Sequence, residues 1–327
     1  MKFLIIRFSS IGDIVLTTPV IRALATADDD NEVHFITKDR FSDTLRNNPY
    51  INKLYTIKKE ITEIEDELKA ENYDYIIDLH RNLRSRRLIA KLGRPSKYFN
   101  KLNYEKWFRV NLKWDILPEI HIIHRYMDTI AFLGLKYDGL GLDYYLSNDD
   151  ELVFEEIELS KEDKYNVFVV GGAHNTKQIL DSILIKAGQN NKLKVVLLGG
   201  KDDIEKSNVI SKEIGAHCLN LVGKFNLNQS AAIVKYSTKI LTPDTGLMHI
   251  AAAFNKEIIS VWGNTIPEFG MWALLPENSQ KKNHIFEVKG LKCRPCSKIG
   301  YKTCPKKHFK CMENQDIEGI TRMLALD

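Results

Sequence analysis

The chain has 327 residues, 44% of them apolar and 28% charged, with a formal net charge of +4. That length predicts about two domains at roughly 100–200 residues each, and the composition can bury sizeable cores, which excludes a disordered chain. No run of about 18 uncharged apolar residues occurs, which excludes a spanning helix, and the apolar start Phe3-Leu4-Ile5-Ile6 is too short for a signal peptide and is followed by Arg7 and Asp13; the expected location is the cytoplasm.

In chain order, apolar runs alternate with helical patterns. Strands are predicted at Phe3–Phe8, Glu32–Thr37, Leu54–Ile57 and Tyr73–Leu79, with helices at Ile14–Ala27, Ile61–Ala70, Leu83–Leu92 and Ile122–Leu133. The second half repeats the theme, with strands at Asn166–Val170, Lys194–Leu198, Lys239–Leu241 and Glu257–Trp262 and helices at Gln178–Ala187, Ile204–Ile214, Gln229–Tyr236 and Leu247–Phe254. Runs such as Val195-Val196-Leu197-Leu198 are continuously apolar rather than alternating, the mark of parallel strands covered on both faces. Alternating βα units predict doubly wound sheets that bind ligands at the carboxyl ends of their strands. The acidic stretch 147–164 reads as a linker region, so the expectation is an α/β chain with one Rossmann-like domain at 1–155 and another at 156–327, facing each other across a cleft.

Familiar nucleotide motifs are missing. Ser9-Ser10-Ile11-Gly12-Asp13 follows the first strand where a dinucleotide fingerprint would carry several glycines, and Gly199-Gly200-Lys201-Asp202 is not a P-loop. Four strand-to-helix junctions nevertheless look chemical. In Ser9-Ser10-Ile11-Gly12-Asp13, Asp13 suits either an N-cap or a general base at a cleft edge. Gly171-Gly172-Ala173-His174-Asn175-Thr176-Lys177 offers backbone amides, a hydroxyl and an ammonium to an anion. Asp202, just beyond a strand, suits a ribose hydroxyl pair or a plain helix start. In Thr242-Pro243-Asp244-Thr245-Gly246-Leu247-Met248-His249, the amides of Thr245, Gly246 and Leu247 would point at a diphosphate, Asp244 at a sugar hydroxyl, and His249 at either the ligand or the helix's own surroundings.

Charge and cysteine are unevenly placed. Residues 81–113 hold 11 Lys and Arg against the single acid Glu105, and residues 281–310 hold 10 against Glu287, so the remainder is acidic. Such patches suit nucleic acid, anionic lipid or a phosphorylated saccharide, although solvated faces read the same way. Four of the five cysteines, Cys293, Cys296, Cys304 and Cys311, cluster around His308 in the segment 293–311. Four Cys, or three with His308, suit a structural zinc ion, while the irregular spacing favours a compact thiol-rich loop that packs without metal.

Ile5-Ile6-Arg7-Phe8-Ser9-Ser10-Ile11-Gly12-Asp13-Ile14-Val15 resembles the opening of the family 9 glycosyltransferases, the ADP-heptose:lipopolysaccharide heptosyltransferases. Asp244-Thr245-Gly246-Leu247-Met248-His249-Ile250-Ala251-Ala252-Ala253 followed by Trp262-Gly263-Asn264-Thr265, the motif Asp78-Leu79-His80 with Asn82-Leu83-Arg84-Ser85, and the cysteine-bearing tail resemble the same family, in order along nearly the whole chain. The resemblance implies a GT-B fold with acceptor on the first domain and donor on the second, and inversion at the anomeric carbon without a catalytic metal. It places the base on Asp13, with Ser9, Ser10, Gly12, Arg81 and Arg84 on the acceptor side. It places donor binding on Thr176, Lys177, Asp244, Thr245, Gly246, Leu247 and His249, and the ribose acid on Asp202 with Glu205 as a rival. Lys177 is followed by Gln178-Ile179-Leu180 where the family commonly has Arg-Trp-Pro, which leaves the donor sugar open.

The leading expectation is therefore an inverting glycosyltransferase moving a sugar, heptose from an ADP-heptose-type donor, onto a lipopolysaccharide core or related lipid-linked glycan. It needs no cofactor for catalysis, binds no nucleic acid, and touches the inner face of the cytoplasmic membrane peripherally, its basic stretch meeting a phosphorylated acceptor and anionic lipid. The alternatives are a nucleic-acid-binding protein with a C-terminal zinc module, a nucleotide-sugar epimerase on the same fold, and an inactive relative, against which Asp13, Lys177 and Asp244-Thr245-Gly246 all speak.

Overall fold

The computed structural model describes residues 1–325 and divides them into two compact units. The first comprises Met1–Lys101 and His121–Tyr145, and the second Leu102–Ile120 with everything from Leu146 onward. Residues 102–120 and 146–155, which the sequence pattern assigns to the first half, thus pack with the second.

The first unit is built on β1 (Lys2–Ile6), β2 (Glu32–Lys38), β3 (Lys53–Ile57), β4 (Tyr75–Asp78) and β5 (Ser96–Tyr98), all parallel, in the order β3-β2-β1-β4-β5. The second is built on β6 (Tyr165–Val169), β7 (Lys194–Leu198), β8 (Cys218–Asn220), β9 (Lys239–Pro243), β10 (Glu257–Trp262) and β11 (Asn283–Glu287), again all parallel, in the order β11-β10-β9-β6-β7-β8. Every residue of β6 and β9 is buried, and β1, β7 and β10 are buried after their first residue, as continuous apolar runs between two helical layers require. The chain reverses its strand order between β1 and β4 in the first sheet and between β6 and β9 in the second, the two places where such folds open a crevice for ligands.

The predicted elements are present, with instructive differences. The helix predicted over 14–27 is two pieces, Ile11–Val15 and Thr18–Thr26, because Pro19 supplies no amide to continue the first. Thr17 and Thr18 donate their hydroxyls to the carbonyls of Ile14 and Val15 across the break. Helix Asp181–Gln189 starts three residues later than the pattern suggests, since Asn175–Lys177 is a separate 3-10 turn and Gln178 is extended. Edge strands β5, β8 and β11 carry too few apolar residues to read as strands, and the helices Asn103–Asn111 and Ile317–Ala325 were likewise unexpected. Among the described residues no helix is long and apolar enough to cross a membrane.

One buried cation holds the first unit's periphery. Arg22, on the helix Thr18–Thr26, binds Asp138 through Nε at 2.8 Å, the Gly141 carbonyl at 3.0 Å and the Asp143 carboxylate. Burial opposes its charge, but these carboxylates outweigh it and raise its pKa. Arg22→Met strands Asp143 in a mostly buried site. We expect it to lower the unfolding free energy by about 3–5 kcal/mol, the usual cost of breaking such a pair, read from denaturant melts.

Candidate functional site: two strand-end ion pairs

In the first unit the strand-order reversal lies between the ends of β1 and β4. Arg7 immediately follows β1, and the chain then turns through Ser9-Ser10 into the helix Ile11–Val15. Asp13 is the third residue of that helix, so Ser10 rather than Asp13 occupies the N-cap position. One oxygen of Asp13 accepts the Ser10 backbone N–H at 3.2 Å and the Ser10 hydroxyl at 2.8 Å. The other pairs with the Arg7 guanidinium at 2.6 Å. Arg7 is itself buried and donates to the carbonyls of Ser9 at 2.8 Å and Leu79 at 2.5 Å and to the Tyr126 hydroxyl at 3.1 Å. Desolvation opposes the Arg7 charge, yet Asp13 and the groups around it hold its pKa above the usual value. The pair leaves the Asp13 side chain one-fifth exposed, oriented and anchored from below. Sequence reasoning did not single out Arg7; the available signal was a cation directly abutting an apolar strand, where burial demands a partner.

At the end of β4 the motif resembling the family's first-domain signature is a turn-builder. Asp78 is buried and accepts the backbone N–H groups of His80 at 3.0 Å and Arg81 at 2.6 Å and the Ser85 hydroxyl at 2.6 Å. Asn82 caps the helix Leu83–Leu92 by accepting the Ser85 N–H. Arg81 donates to the Phe99 carbonyl and lies 4.4 Å over the Tyr98 ring, which holds it against β5. Arg84 is half-buried in the first turn of that helix, Gly12 is buried within its own, and Ser9 contributes its carbonyl to Arg7.

In the second unit the reversal lies between the ends of β6 and β9, and there the predicted donor residues converge. Lys177 Nζ stands 2.5 Å from Asp244 Oδ2, with both side chains mostly buried. Asp244 also accepts a long bond from Thr265 Oγ1 at 3.4 Å. Thr245 precedes the helix Gly246–Ala253, whose first-turn amides have no side-chain cap. A Cβ on Gly172 would lie 3.5 Å from the Thr245 methyl, so the two strand-end loops touch. Leu247 is half-buried at the helix start, while His249 is buried on it at 1% exposure, which favours the reading of a helix histidine.

Two predicted donor residues sit differently from the sequence expectation. Thr176 is buried, and its hydroxyl accepts the Tyr301 N–H at 2.8 Å while its own N–H donates to the Tyr301 carbonyl at 3.1 Å, stitching this turn to the cysteine-rich tail. Gly263 completes that junction: a Cβ there would stand 2.8 Å from the Thr176 carbonyl oxygen, so only glycine lets the end of β10 pass. Beyond β7, Asp202 and Glu205 are exposed, and the acid turned toward β6 is Asp203, which the sequence reading passed over. Asp203 accepts the Gly200 N–H at 3.1 Å and fills the space where a Gly171 side chain would be. Burial pushes its carboxyl above the usual range.

The tail thiols of Cys293, Cys296, Cys304 and Cys311 and the imidazole of His308 line one small cavity of about 10 Å³, with Cys293 Sγ 3.7 Å from His308 Nε2. Burial pushes the Cys311 thiol up to about 12. Among the described residues no group of three or more His, Cys, Asp or Glu side chains is arranged to hold a metal ion.

One group beside Asp13 gives this region a pH dependence. Burial, with Arg7 and Lys101 nearby, pushes the His80 imidazole down to about 3. Unfolding then takes up a proton that the folded state refuses, so His80 costs nothing above about pH 6.5 and destabilises progressively as pH falls below it toward about 3. His80→Asn should show a smaller loss of denaturation midpoint than the wild type between about pH 7 and about pH 5.

Residues 61–307 match the model of glycosyltransferase family 9 (heptosyltransferase). Lipopolysaccharide heptosyltransferase 1 of Campylobacter coli is 26% identical over 294 residues, spanning 81% of this chain and 84% of that protein. Lipopolysaccharide heptosyltransferase 2 of Escherichia coli (strain K12) is 38% identical over 79 residues, 23% of each. Among solved structures, the family 9 glycosyl transferase of Veillonella parvula aligns with a TM-score of 0.78 at 18% identity over 99% of this chain and 97% of that one. The Escherichia coli ADP-heptose lps heptosyltransferase II aligns at 0.72 and 19% identity, over 99% and 98%. The shared fold is GT-B, two parallel-sheet units. With the family model matched over most of the chain and the fold shared from end to end, the chain belongs to glycosyltransferase family 9 (heptosyltransferase) and is a glycosyltransferase.

Proposed function

We propose that this enzyme transfers a heptose from an ADP-heptose-type donor onto a lipopolysaccharide core or a related lipid-linked glycan, with inversion, at the inner face of the cytoplasmic membrane. The observation that carries the donor half is the Lys177–Asp244 pair set at the uncapped start of the helix Gly246–Ala253. An ammonium and free helix amides at a strand-order reversal are what a nucleoside diphosphate needs. The relatives' names supply the sugar and the acceptor. Nucleic-acid binding gains nothing from these matches.

In the proposed reaction Asp13 takes the proton of an acceptor hydroxyl as its oxygen attacks the anomeric carbon. The bond from that carbon to the diphosphate oxygen breaks on the opposite face, so the configuration inverts. The nucleoside diphosphate leaves with the electron pair, and its growing charge is met by Lys177 and the amides of Thr245, Gly246 and Leu247. Arg7 is a positioning residue: it pairs with one oxygen of Asp13 while Ser10 binds the other, and the Ser10 hydroxyl, which can rotate away, yields its place on that oxygen to the acceptor hydroxyl. Asp244, released from Lys177 by the diphosphate, is free to bind a sugar hydroxyl. For the ribose we assign Asp203 in preference to Asp202, because it alone of the two turns toward the end of β6. Thr176 serves this site by holding the 175–177 turn in place.

Asp13→Asn tests the base. A base predicts a turnover loss of about 10²–10⁴-fold at saturating donor and acceptor, with donor binding retained. The melting temperature falls under either reading, since Arg7 loses its counter-ion, but a purely structural Asp13 predicts turnover within about tenfold of wild type; that outcome would move the base elsewhere. For the donor site, Lys177→Ala should weaken nucleoside-diphosphate binding by about 1–3 kcal/mol in calorimetry, the usual worth of a charge-assisted bond. Unchanged affinity would remove Lys177 from the site.

A further inference from the structure

The segment 102–120 of the second unit leaves six large apolar residues exposed to solvent. The nine-residue helix Asn103–Asn111 has no buried residue at all. Tyr104 is 82% exposed, Trp107 55% and Trp114 58%, and Leu112, Ile116 and Ile120 are exposed with them. This is not a slack loop. Phe108 and Trp114 stack with ring planes 2° apart, and Lys113 Nζ ties the segment to the tail through the carbonyls of Cys293 at 3.2 Å and Pro295 at 2.6 Å. The tail it is tied to, residues 292–310, holds seven Lys and Arg and no acid. Lys298, Lys302, Lys306 and Lys307 are exposed there, beside exposed Ile299 and Tyr301. Burial depresses the Lys113 ammonium, with smaller contributions from Arg109 and Lys306 nearby.

Clustered exposed aromatics fixed in place mark an interaction surface, and aromatics beside lysines have a specific fit. Trp and Tyr rings settle at the headgroup level of a bilayer, while long lysine side chains reach anionic phosphates. We infer that the 102–120 segment and the basic tail 292–310 form one bilayer-docking face, the rings entering the interface of an anionic membrane and the lysines meeting its headgroups. The inference rests on the proposed function only for why a membrane would be visited; its evidence is the surface itself. Two weak signals in combination also suit reversible attachment.

The full chain is tested on phosphatidylcholine vesicles with and without about 30% phosphatidylglycerol, carrying brominated acyl chains that quench nearby tryptophan. We expect binding to the anionic vesicles alone, weakened by salt, with quenching of Trp107 and Trp114. Trp107→Ala with Trp114→Ala, and separately Lys302→Glu with Lys306→Glu, should each weaken partitioning about tenfold or more at unchanged melting temperature. Binding without quenching, or wild-type binding by either double variant, overturns the inference. So does tighter binding to a mixed RNA or DNA oligonucleotide than to the vesicles at physiological salt, or a self-association lost on removing the two tryptophans. Transfer onto a delipidated, soluble core acceptor is measured in parallel and should be unchanged in both variants. Failure of that transfer in the wild type counts against the proposed function and leaves the vesicle result standing.

Discussion

A strand buried on both faces has nowhere to place a polar side chain except beyond its ends. Both sheets of this protein obey that constraint, with β6 and β9 buried throughout and β1 buried after its first residue. The chemistry is therefore displaced to the carboxyl-end loops, and it concentrates where the strand order reverses, because there two neighbouring loops part instead of crossing the same face. Arg7, Asp13, Lys177 and Asp244 all stand at such positions.

The two units solve the same electrostatic problem in different ways. In the first, the cation is the deeply held partner: Arg7 is buried, spends its guanidinium on two carbonyls, a phenol and Asp13, and leaves the carboxylate toward solvent. A planar, permanently charged fork suits that role, since it satisfies several acceptors at once and cannot be neutralised by burial. In the second, Lys177 and Asp244 are comparably buried, and the cation is a flexible ammonium with a single short contact. An ammonium on a four-carbon stem can change partners when an anion arrives, which a locked guanidinium cannot. One arrangement holds its carboxylate in a single orientation; the other leaves its cation able to change partner.

The cysteine-rich tail touches both the strand-end loop after β6 and the exposed 102–120 segment. It closes on the 175–177 turn through Thr176 and Tyr301, crosses the end of β10 at Gly263, and anchors the 102–120 segment through Lys113. Arg294 sits within it as a connector, donating to the carbonyls of Gly263 and Thr265 and pairing with Glu287 at 2.6 Å. The second basic stretch thus has a buried, structural component and an exposed one, which net charge along the chain does not separate.

The sequence by itself determined the parallel α/β architecture, since continuous apolar strands alternating with helices admit little else, and it located the strand-end loops, because Ser-Ser-Ile-Gly-Asp and Asp-Thr-Gly interrupt that apolar rhythm with polar groups. It also marked Asp13, Lys177 and Asp244 by residue type and by resemblance. Tertiary structure decided what depends on partners distant along the chain. Asp78 and Ser85 build a turn, the Thr176 hydroxyl belongs to Tyr301, and Asp203 rather than Asp202 faces β6, since one residue's step in the 3-10 turn Lys201–Asp203 swings a side chain by roughly 120°. The short strands β5, β8 and β11 form because a neighbouring strand offers unpaired backbone groups, not because their own residues favour extension. Arg7 shows the same limit most plainly: its charge is printed in the sequence, but the four partners that make it tolerable lie as far away as Tyr126 and are brought together only by the fold.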